Sequence, residues 1–248
     1  GPVAQKFGSL FTAIQPETRK VGLLVPFTKA SYDRDYSKTA AQCSYDNLLL
    51  AGVDVEPVAE EEILAGRLKE YDAVVLSRVN WLRQDVFDIL QASNIPVIVD
   101  AGTLEGGKPA SNLGLTGNNV KNAGAEFVKW GGCAYPDYAQ DYADPVHLQE
   151  IRTAMNQFVT PEVKISSDTI IYKKYKGGVA KYLWLVDVHT KQEYVEVANT
   201  VIGKKLGKDL INSDGTVNQD INQKQIGYLT SQNIYSGQNT ATVSVAVP

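Results

Sequence analysis

"YDAVVLSRVNWLRQDVFDIL", Tyr71 to Leu90, decides the fold. Ala73–Leu76 is an unbroken apolar run of strand length, so it reads as a strand covered on both faces rather than one with a wet side. A sharp bend follows, with Ser77 on it. Beyond the bend, "LRQDVFDILQASN" alternates apolar and charged positions at helical spacing. Strand, bend and helix form the repeating unit of α/β folds. Many α/β enzymes carry their nucleophile on such a bend, which makes Ser77 the first residue to test.

The same unit recurs on both sides. Upstream, "KVGLLVPF" (Lys20–Phe27) is a strand, "SKTAAQCSYDNLLLAG" is a helix closed by Gly52, "VDVEPV" is a second strand and "AEEEILAGRLKEY" is one short helix. Downstream, "IPVIVD" (Ile95–Asp100) is a fourth strand. Apolar strands separated by helices predict a doubly wound, flavodoxin-like parallel sheet. Residues 101–119, "AGTLEGGKPASNLGLTGNN", read as a long loop, because Gly, Asn and Ser dominate them. "DPVHLQEIRTAMNQFV" returns to helix, with Asp144 as N-cap and Pro145 as its first residue, and Thr160-Pro161 stops it.

From Val163 the period changes to two. "TIIYKKYKGGVAKYLWLVDVHT" alternates Tyr, Ile, Val and Trp with lysine across a Gly177-Gly178 turn, and "NTATVSVAVP" reads as a closing strand. The expected organisation is an α/β domain over residues 1–160 and a small antiparallel, sandwich-like β domain over 161–248. The chain opens on Gly1-Pro2, the remnant a common tag-removing protease leaves, and closes on an apparent strand. Both features read as a fragment with more protein expected after it.

Composition narrows the function classes. The chain has 248 residues, is 44% hydrophobic and 21% charged, and carries a net charge of -4 with a pI near 5.3. Such a balance offers no bulk attraction to nucleic acid or anionic membrane. No apolar run approaches the roughly 20 residues that cross a bilayer, and no start resembles a signal peptide, so the piece reads as soluble. The two cysteines, Cys43 and Cys133, form no CxxC pair. The general burial of cysteine favours two free thiols there over a disulfide.

The order of elements resembles the rear part of large glycoside hydrolases such as β-galactosidases, which carry a glutamine-amidotransferase-like trimerisation domain followed by a small β domain. Four stretches carry the resemblance: "KVGLLVPFTKASYD", "YDNLLLAGVDVEPVAEEEIL", "LKEYDAVVLSRVNWLRQDVFDIL" and "HLQEIRTAMNQFVTPEVKISSDTIIYKKYKGGVAKYLWLVDVHT". The likeness runs over nearly the whole chain as a succession of element patterns, with no single diagnostic motif. In one departure, the family places a Gly-Gly pair before its "TLV" strand where this sequence has "ASNIPVIVDAGT", so the family's trimer contacts are not carried onto it. The resemblance implies an accessory or assembly module, with the catalytic carboxylates in a preceding barrel domain. It also favours a secreted, periplasmic or cell-surface protein.

A working amidotransferase presents G-x-C-x-G at its elbow, whereas the bend here reads "LSRVN", with neither Cys nor Gly. Ser77 would need a histidine as base, and only His147 and His189 exist. Neither is followed by a carboxylate two residues on, as the amidotransferase triad requires. Cys133, within "WGGCAYPDY", has no strand before it. Glu60, Glu61 and Glu62 read as the solvated first turn of a helix and not as a glycosidase pair. The expectation is therefore a chain without a catalytic site, with unrecognised hydrolysis as a remote alternative.

Binding candidates remain. An open parallel sheet binds ligands at the carboxyl ends of its strands. Here that crevice would be lined by Phe27, Thr28, Ser77, Arg78, Asn80, Asp100 and Thr103. Trp130, Tyr135, Tyr138 and Tyr142 lie close in sequence and suit stacking on a sugar ring. Asn212, Asp214 and Asn218 fall roughly at calcium-loop spacing, but Leu210 and Ile221 stand where the first and last ligands belong, which favours a plain turn. No glycine-rich phosphate loop opens the first helix, so no nucleotide cofactor is expected. The expected partners are other domains of a parent protein or further copies of this chain, with polysaccharide as the alternative; the lysine-rich β region would suit an anionic glycan.

Overall fold

Five short strands run parallel: β2 (Val21–Val25), β3 (Val55–Ala59), β4 (Ala73–Leu76), β5 (Val97–Val99) and β6 (Val120–Asn122). The computed structural model describes residues 8–10, 12–33, 40–101, 113–128, 145–167, 170–187 and 241–245. The sheet order is β3-β2-β4-β5-β6. Counted within the sheet this is 2-1-3-4-5, the doubly wound flavodoxin-like order, whose direction of winding reverses between β2 and β4.

Both faces are covered, as the unbroken apolar strands require. On one face, Val21, Leu23, Val75 and Ile98 pack with Leu48 of α2 (Gln42–Leu50) and with Leu148, Ile151 and Met155 of α5 (Pro145–Met155). On the other, Leu24, Val58, Val74 and Leu76 pack with Ile63 of α3 (Glu60–Leu64) and with Val86 and Leu90 of α4 (Gln84–Ala92). Each fully buried side chain of this kind stabilises the fold by about 1.5–3 kcal/mol. The opening stretch therefore folds as read: β4, a bend at Ser77–Arg78, then α4.

Four local features differ from the sequence reading. First, Phe27–Tyr32 form a short helix, α1, in the stretch between the opening strand and the helix read from Ser37 onward. Second, one helix was expected over residues 59–71. It is split into α3 and a 3-10 turn at Arg67–Glu70, because Gly66 adopts φ +88°, a left-handed conformation that ends the first helix. Third, β6 adds a fifth strand. Its three residues, "VKN", are partly exposed and carry too little apolar signal to separate from the Gly/Asn-rich loop before them. Fourth, Cys43 is disulfide-bonded, contrary to the free thiol expected. The sequence's other cysteine, Cys133, lies outside the described residues.

The antiparallel part begins where the period changes. β8 (Ile170–Gly177) and β9 (Ala180–Asp187) form a hairpin across Gly178-Val179, with Gly178 at φ +59°. β1 (Gln15–Pro16) pairs with the far edge of β8, and β7 (Val163–Ile165) pairs with β10 (Val243–Val245). The N-terminal segment thus joins the same sheet as the hairpin.

An ionic cluster ties this hairpin to the parallel sheet. Arg19 Nη1 donates to Asp54 Oδ1 at 2.8 Å and to the Tyr172 carbonyl at 3.0 Å, and both side chains of the pair are only 7% exposed. Lys174 Nζ, on β8, lies 2.7 Å from Asp54 Oδ2 and 2.8 Å from Glu162. Burial alone would lower the pKa of Lys174, but its hydrogen bonds to Asp54 and Glu162 outweigh that and raise it. Hydrogen bonding to Lys174 holds the Glu162 carboxyl below its usual range.

Candidate functional site

The carboxyl ends of β2, β4 and β5 meet at the switch point, and what fills that crevice is a set of closed hydrogen bonds. Ser77, 1% exposed, donates to Asp100 Oδ2 at 2.8 Å, and Ser44 of α2 lies 2.6 Å from its Oγ. Ser44 also reaches the Ala40 carbonyl, at 2.5 Å. Asp100 is itself 1% exposed. The Ser77 hydroxyl thus sits within a buried chain of side chains and faces no histidine among the described residues.

Arg78, not Ser77, holds the unusual backbone at the bend, with φ +54°. Non-glycine residues rarely adopt this region, and a bend that keeps one there over-determines its geometry. Its side chain turns inward and is 4% exposed. Nη2 donates to the Val128 carbonyl at 2.9 Å and to Glu126 at 3.3 Å, while Nε lies 3.9 Å from Asp100. His147, considered above as a base, places Nε2 2.6 Å from the Glu126 carbonyl. Arg78 and His147 therefore both anchor the segment after β6.

The remaining crevice residues have partners of their own. Thr28 donates to Glu60 Oε2 from its backbone N–H at 3.0 Å and from Oγ1 at 2.8 Å, and the Arg83 N–H reaches Glu60 Oε1 at 3.3 Å. One carboxylate thus ties the segments that follow β2, β3 and β4. This corrects the solvated first turn expected for Glu60, Glu61 and Glu62: Glu60 is fully buried, Glu62 bonds the Ala59 N–H and Arg67, and only Glu61 stays in water. Asn80 accepts from Lys29 Nζ at 2.5 Å, and that ammonium also contacts Asp33 at 3.1 Å. Lys29 to Asn80 spans the switch point directly.

The structure therefore joins Ser77, Arg78 and Asp100 into one network and assigns Thr28 and Asn80 to Glu60 and Lys29. Thr103, Trp130, Tyr135, Tyr138, Tyr142, Cys133, His189, Asn212, Asp214 and Asn218 lie outside the described residues. Among the described residues, no group of His, Cys, Asp and Glu could hold a metal ion, and no helix is long and apolar enough to cross a membrane.

Tyr32 and Trp81, which the sequence reading did not single out, form an aromatic rim with Phe27 of the expected crevice lining. Tyr32 and Trp81 meet edge to face with ring centroids 5.9 Å apart. They are 85% and 53% exposed, and Phe27, at the start of α1, is 57% exposed. The signal was positional: each follows the end of an apolar strand run, where the core stops and the rim of the sheet begins.

No family model and no curated protein matches the sequence. Among solved structures, the chain is similar to a β-galactosidase from the psychrophilic Marinomonas ef1, at 10% identity and a TM-score of 0.35. The alignment covers 69% of this chain and 35% of that one, so the chain spans about a third of that enzyme's length. A likeness of this grade assigns neither a site nor an activity.

Proposed function

We propose that the chain is a non-catalytic contact module of a larger carbohydrate-active or cell-surface protein, with other domains of that protein or further copies of itself as partners. The observation that carries this reading is the state of the bend. Ser77 donates its proton to a buried carboxylate, and the residue in the strained position is an arginine bonded into the scaffold. A carboxylate is too weak a base to activate a serine hydroxyl near neutral pH, since their reaction would need a pKa match it lacks. The rim supports the contact role, because exposed Trp and Tyr are the side chains that dominate binding at interfaces. The disulfide at Cys43 supports an oxidising compartment.

The same aromatic faces favour a second reading, in which the rim stacks on a sugar ring. One variant separates the two. In sedimentation experiments on the chain, alone and with its neighbouring domains, association is expected and Trp81→Ala should weaken it by on the order of tenfold or more. A chain that stays monomeric and captures no neighbour contradicts the assembly reading. Saturable binding on a glycan array, lost in Trp81→Ala, establishes the second.

A further inference from the structure

A cavity of about 260 Å³ lies on the far side of the sheet from the switch point, between the ends of α2 and α5 and the strands β7 and β8. We propose that this cavity binds a small monocarboxylate with an apolar body.

Shape and lining set the ligand's size and character. Leu50, Val53, Met155, Val159 and Val163 give it apolar walls. Cavities of about 150 Å³ hold benzene and those above about 300 Å³ hold drug-sized molecules, so this one suits a compound of about ten heavy atoms. The junction between two structural units is also a common place for small-molecule sites.

Charge sets the sign. Lys20, Arg152 and Lys164 line the cavity, against Asp54 and Glu162. Both carboxylates are already paired within the fold, Asp54 with Arg19 and Lys174, Glu162 with Lys174 and Lys20. Lys164 makes no ion pair among the described residues, so the lining keeps a positive excess for an anion.

Tyr172 supplies the second observation. It lines the cavity, is 4% exposed, and its buried hydroxyl has no hydrogen-bond partner among the described residues. A buried, unsatisfied hydroxyl costs the fold about 1–3 kcal/mol unless something meets it. Burial, reinforced by the nearby Asp54, pushes the phenol pKa up, so the group stays protonated and available as a donor. A carboxylate oxygen is the acceptor it lacks, with Lys164 as counter-charge.

The test uses benzoate as the probe and benzyl alcohol as its uncharged counterpart, with binding to the full chain followed by NMR titration. Benzoate should bind saturably with a dissociation constant of about 1 mM or below, and benzyl alcohol about tenfold more weakly or not at all. Tyr172→Phe and Lys164→Gln should each weaken benzoate by roughly fivefold, the loss of one hydrogen bond or charge contact. Val159→Trp changes a partly exposed wall position and should fill the cavity, removing binding with the circular dichroism spectrum unchanged. Absence of saturable benzoate binding overturns the proposal. So does binding that survives Lys164→Gln and Tyr172→Phe undiminished, or equal affinity for benzyl alcohol.

Discussion

Arg78→Ala is expected to destabilise the α/β unit by about 3–5 kcal/mol, the usual cost of removing one partner from a buried charge pair. Asp100, at 1% exposure, would keep its charge without the nearby guanidinium, and the Val128 carbonyl would lose its donor. Arginine and alanine carry the same backbone penalty of about 1 kcal/mol at φ +54°, which only glycine escapes. Arg78→Gly removes the strain but not the charge defect, so it should recover that penalty alone. Urea denaturation of the three proteins measures both differences. A loss below about 1 kcal/mol in Arg78→Ala would mean that the Arg78 network does not hold the bend.

The second large effect lies at the ionic cluster. Asp54→Ala leaves Arg19 and Lys174 buried without their shared carboxylate, and about 3–5 kcal/mol should be lost between the hairpin and the sheet. The pH dependence follows from the direction of each shift. Glu162 is held below its ordinary pKa, so its contribution is present above about pH 4.3 and fades as pH falls through the lower folded value. Lys174 is raised, so its contribution is complete below about pH 10.4 and fades as pH rises through the higher folded value. Glu162 is 43% exposed and screened by water, which makes its share the smaller one. Thermal melts of wild type across this range should fall at both ends, and Asp54→Ala should flatten the alkaline limb. An alkaline limb unchanged in Asp54→Ala would contradict the assignment to Lys174.

Much of the fold was legible because its signals are local and repeated. Ala73–Leu76 and Val21–Val25 are apolar at every position or broken only by Gly22, which is what a doubly covered strand requires. Pro57 in β3 fits because β3 is the sheet's edge. β6 escaped notice because pairing with β5, not its own composition, makes Val120–Asn122 a strand. Of the site, the sequence placed Ser77, Arg78 and Asp100 at one end of the sheet from strand order alone. It did not reveal that they bond to one another, since Ser44 and Val128 arrive from distant parts of the chain. Glu60 misled for the same reason: three acidic residues in a row look solvated until tertiary packing turns one of them toward Thr28.

The measurement closest to the central claim is the intact mass of the folded chain after incubation with an aryl fluorophosphonate, which phosphonylates activated serines with loss of fluoride. With Ser77 buried and donating to Asp100, no adduct should form. A stoichiometric adduct that maps to Ser77 and disappears in Ser77→Ala would show a nucleophile at the bend and contradict the account.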